Sequence, residues 1–187
     1  MTRRFPWAIV LAAGLVAALV FAISRIDIGE TIDEVTLPLR HDDVIRQQAQ
    51  RFDLDPALIA AVIYEESRFR DQTSDAGARG LMQITPDTAD TIERLSGGET
   101  FEYDDLANPD LNIRYGTYFL DYLLDLYGGN VVAALAAYNA GPTNVRAWGG
   151  PELEPGDIEF EETRHYVENV LARRDEYRER YRRDLGL

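Results

Sequence analysis

Glu65 and Glu66 stand side by side at the end of an apolar stretch that reads as one helix. An α-helix turns about 100° per residue, so the two carboxylates point in different directions. Leu58, Ile59, Ala61, Val62, Ile63 and Phe69 define an apolar arc. On a helical wheel Glu66 falls roughly 20° from the centre of that arc, and Glu65 lies about 80° away at its edge. Glu66 is therefore a carboxyl placed where a core side chain is expected. Burial disfavours the charged form and raises a carboxyl pKa. A glutamic acid that stays protonated near neutral pH can donate a proton to a glycosidic oxygen. The wheel alone leaves a second account open, in which Glu66 is structural and satisfied by backbone donors or by Arg68, Arg79 or Arg164.

Other chemistries are poorly supplied. There is no cysteine, which excludes a thiol nucleophile and cysteine metal sites. The two histidines, His41 and His165, are far apart, so neither a histidine metal site nor a Ser-His-Asp triad is expected. The chain carries 33 Asp+Glu against 19 Lys+Arg, a formal net charge of -14. Such a surface repels phosphate backbones, so nucleic acid is not an expected partner. Every basic residue is arginine. Genome composition accounts for that acidic, lysine-free makeup, and so does adaptation to high salt, where screening relieves repulsion among crowded carboxylates.

The elements that must position Glu66 read as helices. Asp42 to Phe52 has helical spacing of apolar residues. Asp55-Pro56 starts the next helix, which the spacing extends to about Phe69. A polar loop, Arg70 to Gly80, follows. Thr85-Pro86 and Asn108-Pro109 open two more helices, the second with a stripe that includes Leu111, Tyr115, Phe119, Tyr122 and Leu126. Gly128-Gly129 ends it, and Asn130 caps a short apolar helix that Gly141-Pro142 breaks. A last helix is expected from about Glu162 to Arg183, after a Pro/Gly loop. No alternating strand or internal repeat is evident, so the fold class is all-α.

Residues 1–24 read as a membrane segment. Arg3 and Arg4 precede an uncharged, largely apolar run from Phe5 to Ile23, near the ~20 residues that a spanning helix needs. Positive charge before the run predicts a cytoplasmic N-terminus and an exported remainder. An uncleaved anchor fits the length. A cleaved signal peptide is the alternative, with a poor cleavage site at Val20 and Ala22. Residues 25–41 read as a linker and 42–187 as the catalytic domain.

Three blocks, in order, resemble the soluble-type lytic transglycosylases. The first is Glu66-Ser67 with the run Ser74 to Pro86, S-D-A-G-A-R-G-L-M-Q-I-T-P. The second is Ala137 to Pro142, A-Y-N-A-G-P, and the third runs from Ile158 to Val170, I-E-F-E-E-T-R-H-Y-V-E-N-V. The resemblance spans about residues 42–183. It implies a lysozyme-like fold and cleavage of peptidoglycan glycan strands without water, giving 1,6-anhydromuramoyl products with no metal or organic cofactor. It implies that Glu66 is the catalytic acid and base. Ser74 and Gln83 match polar residues of the sugar-binding cleft, Tyr138 and Asn139 a pair lining that cleft, and Tyr166 the tyrosine facing the catalytic carboxyl. Two positions depart from the pattern: Glu66 to Gly77 is one residue shorter than usual, and Glu159 stands where Pro is common. A lysozyme-like muramidase and a non-catalytic wall-binding module are the alternatives. Asp71 and Asp75 are candidates for a second carboxylate.

Overall fold

The computed structural model describes residues 36–97 and 102–187, and every element below lies in the compact unit Leu39–Leu187. Seven α-helices occur among the described residues, with no named strand. They are α1 Asp42–Phe52, α2 Pro56–Ser67, α3 Pro86–Leu95, α4 Pro109–Leu126, α5 Val131–Ala140, α6 Pro142–Trp148 and α7 Glu161–Arg180. Short 3-10 turns occupy Tyr103–Ala107, Gly150–Glu152 and Pro155–Asp157. The apolar run 5–23 and most of the linker lie outside the described residues. Among the described residues no helix is long and apolar enough to cross a membrane.

Side-chain caps set four of the helix starts. Asp55 accepts from the Ala57 N–H at 3.0 Å and Thr85 from the Thr88 N–H at 3.2 Å. Asn108 accepts from the N–H groups of Asp110 and Leu111, and Asn130 from that of Ala133. Each such cap satisfies a backbone donor that the helix itself cannot, worth about 1 kcal/mol.

α2 is the centre of the unit. It packs most extensively on α7, with α1 also against it. The sequence reading treats it as one-faced, but every residue from Pro56 to Tyr64 is buried. Burying a side chain such as Ile59, Val62 or Ile63 contributes roughly 1.5–3 kcal/mol, and these three are fully inaccessible. The helix also ends two residues before Phe69. Arg68 and Phe69 are both left-handed, at φ 51° and 58°, and the Arg68 N–H caps the Tyr64 carbonyl at 2.8 Å. Such a turn usually takes glycine, so the apolar spacing alone carries the helix too far. Phe69 turns inward against Tyr177, with ring centroids 6.2 Å apart.

Three further expectations shift. Tyr115 and Phe119 of the expected α4 stripe are buried, but the buried face also takes in Asn112, Ile113, Gly116, Leu120 and Leu123, while Leu126 is 44% exposed. Pro142 does not only break α5; it occupies the first turn of α6. α7 stops at Arg180, and the chain continues as a turn.

The segment between α2 and α3 is held as a folded loop by one buried amide. Asn112 is fully inaccessible. Its Oδ1 accepts from the Met82 N–H at 2.7 Å, and its Nδ2 donates to the carbonyls of Arg79 at 2.9 Å and Leu106 at 3.0 Å. Gly80 and Gly116 make room for this docking. A Cβ at Gly80 would lie 2.1 Å from Asn112 Nδ2, and one at Gly116 would lie 2.4 Å from Met82 Sδ. Asn112→Leu, of similar size, leaves one donor and two acceptors unpaired in the interior. It is expected to lower the unfolding free energy by roughly 3–5 kcal/mol in urea titrations. A loss within experimental error would show that the loop docks without the amide.

Candidate active site

Glu66 sits in the last turn of α2, where the buried helix meets α7 and the loop. Its residue keeps a face in solvent, yet protein crowds its carboxyl. Burial raises its pKa from the ordinary 4.5 to about 7. A hydrogen bond from Tyr166 offsets part of the rise, and the like charge of Glu65 adds to it. The Tyr166 hydroxyl donates to Glu66 Oε1 at 2.8 Å. None of the three arginines named as possible partners is hydrogen-bonded to this carboxyl. Arg68 lies over the Tyr64 ring, Arg79 pairs with Asp104, and Arg164 donates to the Ile158 carbonyl.

Two tyrosines close the site from different elements. Tyr166 comes from the second turn of α7 and Tyr138 from the last turn of α5. The Tyr138 hydroxyl donates to the Met82 carbonyl at 2.9 Å, and its ring packs 5.7 Å from that of Phe119. Both residues are partly exposed. Burial first, and then the charge of Glu66, hold both hydroxyls well above the usual phenol pKa. Both therefore stay protonated and act as donors.

The other expected site residues are placed differently. Asn139 is exposed and borders a cleft of about 380 Å3, shared with Tyr138, Thr85, Thr88, Tyr122 and Pro142. Its Oδ1 accepts from Thr163 Oγ at 2.7 Å, which ties α5 to α7. Ser74 organises its own loop, with Oγ accepting from the Ala78 N–H at 3.0 Å. Gln83 is left-handed, at φ 46°, and its amide donates to the carbonyls of Gly80 at 2.8 Å and Gln72 at 3.1 Å. Ser74 and Gln83 make no hydrogen bond to the Glu66 carboxyl. Met82 is fully buried and serves packing. Asp71 and Asp75 are exposed, and the carboxylate that bears on Glu66 is its neighbour Glu65. A separate hollow of about 200 Å3, lined by residues including Arg51, Phe52 and Arg114, contains no part of this acid chemistry.

Several residues of the site carry no assignment from sequence. Ser67 Oγ reaches the carbonyls of Ile63 at 3.1 Å and Leu81 at 2.7 Å, and so pins the loop to α2. Thr163 lies inside the third motif block, but nothing in its type marks it as a tether. Asn112 has a legible signal. At helical spacing it shares a stripe with Gly116, Phe119 and Leu123. Arg173, which pairs with Glu65 at 3.6 Å, has none.

Residues 43–160 match the family described as transglycosylase SLT domain. The chain belongs to this family. The soluble lytic murein transglycosylase of Salmonella typhimurium is 37% identical over 162 residues, covering 82% of this chain and 24% of that protein. Membrane-bound lytic murein transglycosylase C of Glaesserella parasuis is 34% identical over 137 residues, covering 63% of this chain and 38% of that protein. Among solved structures, an inactive mutant of lytic transglycosylase Slt from Pseudomonas aeruginosa superposes with a TM-score of 0.74 at 34% identity. That match covers 80% of this chain and 26% of the other. The helical unit is thus lysozyme-like in the manner of the SLT transglycosylases. The chain spans about a quarter of the length of the soluble curated relative, with 24% of that protein matched.

The raised pKa has a stability consequence. A native pKa above the unfolded value means that the folded state binds the proton more tightly. That stabilisation is complete below about 4.5 and is lost as pH rises through about 7. Glu66→Gln removes the titration. It is expected to stabilise the protein by roughly 2–3 kcal/mol more at about pH 8 than at about pH 4. Urea unfolding at the two pH values checks the sign. Tyr166→Phe removes the bond that favours the carboxylate, so NMR titration of the Glu66 carboxyl carbon should find its pKa raised further.

Proposed function

We propose that this SLT-family chain is a peptidoglycan lytic transglycosylase with Glu66 as its only acid and base. The carrying observation is the Glu66 carboxyl, with a pKa near neutrality at about 7, one oxygen held by Tyr166 and Oε2 without a hydrogen-bond partner among the described residues. The free oxygen is the one available to hold a proton toward substrate. Most glycosidases need a second carboxylate to activate water or attack the sugar. Glu65 is engaged by Arg173, and Asp71 and Asp75 are exposed on the loop, so a route without a water nucleophile suits the site.

In the first step Glu66 protonates the oxygen joining N-acetylmuramic acid to N-acetylglucosamine, and the C1–O bond breaks. The substrate's own acetamido group stabilises the anomeric carbon. In the second step the Glu66 carboxylate takes the proton from the muramoyl C6 hydroxyl, whose oxygen bonds to C1. The nucleophile is already part of the sugar, so no second molecule must be captured. Glu66 ends protonated, as it began. Tyr166 orients the carboxyl. Tyr138 and Asn139 line the glycan cleft, and Ser74 and Gln83 form its loop wall, where the family resemblance makes them sugar contacts.

The same reading places the enzyme in the cell envelope, with residues 1–24 as an anchor or signal, 25–41 as linker and 42–187 outside the cytoplasmic membrane. The names of the relatives, soluble and membrane-bound murein transglycosylases, support that compartment. Digestion of purified sacculi followed by mass spectrometry tests the reaction. The expected products are muropeptides lighter by one water than hydrolytic ones. Reducing ends alone would establish a muramidase. Glu66→Gln should lose about 10^3-fold or more of the rate. Undiminished digestion by this variant would remove Glu66 from the chemistry.

A further inference from the structure

Glu65 and Glu66 are adjacent on α2, and α7 meets both of them. Tyr166 takes Glu66, and Arg173, seven residues further along α7, takes Glu65. Residues seven apart share one face of a helix, so a single face of α7 contacts both carboxylates. Arg173 is itself well fixed. Its Cζ lies 4.4 Å above the Tyr64 ring, and Nη1 bonds Glu176 Oε2 at 2.7 Å. Its buried Nε lies 3.6 Å from Glu65 Oε1 and makes no hydrogen bond. Arg173 therefore acts on Glu65 as a charge. Glu65 is itself shielded, with 17% of its side chain exposed, so this charge is only partly screened.

We propose that Arg173 is a positioning residue for the acid chemistry: by drawing the Glu65 carboxylate toward α7, it keeps a second negative charge from settling against Glu66. The inference rests on Glu66 being the acid. The titratable groups that bear on Glu66 are Glu65 from α2, Tyr166 from α7 and Tyr138 from α5. Both tyrosines stay neutral, so Glu65 is the charge that can be moved. Without Arg173 the Glu65 carboxylate relaxes toward its neighbour. Glu66 then holds its proton to higher pH and becomes a weaker acid for the first step.

The test uses the full chain with Arg173→Gln, Arg173→Lys, Glu65→Gln and the double variant carrying both glutamine changes. NMR titration of the Glu66 carboxyl carbon reads the midpoint directly, and the alkaline limb of the sacculus-digestion profile reads its effect on rate. Arg173→Gln should raise the midpoint by roughly half a pH unit, and Arg173→Lys should restore most of it. Glu65→Gln should lower it. In the Glu65→Gln background the Arg173→Gln change should have a much smaller effect, because the charge it positions is gone. An unmoved or lowered midpoint in Arg173→Gln, or an equal shift in both backgrounds, overturns the proposal. If the arginine variants do not fold, Glu65→Gln decides alone, and a midpoint that stays in place overturns it. The NMR midpoint needs no turnover. A failure of the transglycosylase reading, seen as reducing-end products or an active Glu66→Gln, is thus separate from a failure of this one.

Discussion

A carboxyl group taken out of water must either find a cation or hold its proton longer, and Glu66 holds its proton up to about pH 7. Around it, the described residues offer no arginine paired with the carboxyl, one tyrosine hydroxyl bonded to it and a neighbouring carboxylate. That balance depends on α2 being buried on every side from Pro56 to Tyr64, with only the Glu65–Glu66 turn partly exposed. A helix with one solvent face would leave its last turn wet and its carboxyls ordinary. The packing of α7 over α2 thus does two things at once. It completes the hydrophobic core with Val167, Val170 and Tyr177, and it excludes water from one side of the acid.

The loop after α2 is under a related constraint. It anchors in the core through Leu81, Met82 and Ile84, and polar groups specify the rest of its path. Ser67 ties it to α2, Asn112 ties it to α4, and the Tyr138 hydroxyl binds the Met82 carbonyl. Such networks specify a path only when every member is paired. The serine and the glutamine that motif similarity marks as sugar contacts both belong to this bracing, through the backbone bonds of Ser74 and Gln83. A side chain can brace a wall and still present another polar atom to the cleft.

The helix starts were legible in the sequence because capping is local chemistry. Asp55, Thr85, Asn108 and Asn130 each accept bonds from N–H groups two or three residues away. Helix ends and faces were less legible because neighbours far along the chain decide them. The left-handed Arg68–Phe69 turn contains no glycine, and Phe69 is drawn inward by Tyr177, more than a hundred positions later. The wheel's preference for Glu66 over Glu65 agrees with the burial that raises the Glu66 pKa, although the helix from Pro56 to Tyr64 is buried on every side. What separates the two carboxylates is first burial, which raises the Glu66 pKa to about 7, and then their partners, Tyr166 on Glu66 and Arg173 on Glu65. The Tyr166 contact could be carried over from the family motif, whereas no pattern flagged Arg173.

The stretch that matches the family ends at Phe160, one residue before α7 begins. A fragment excised at that border would keep the motif glutamate and both cleft residues of α5. It would lose Thr163, Tyr166 and Arg173, and with them the hydrogen bonds to Asn139 Oδ1 and Glu66 Oε1 and the cation beside Glu65. A fragment that keeps the Glu66 site must therefore reach past the matched stretch into α7.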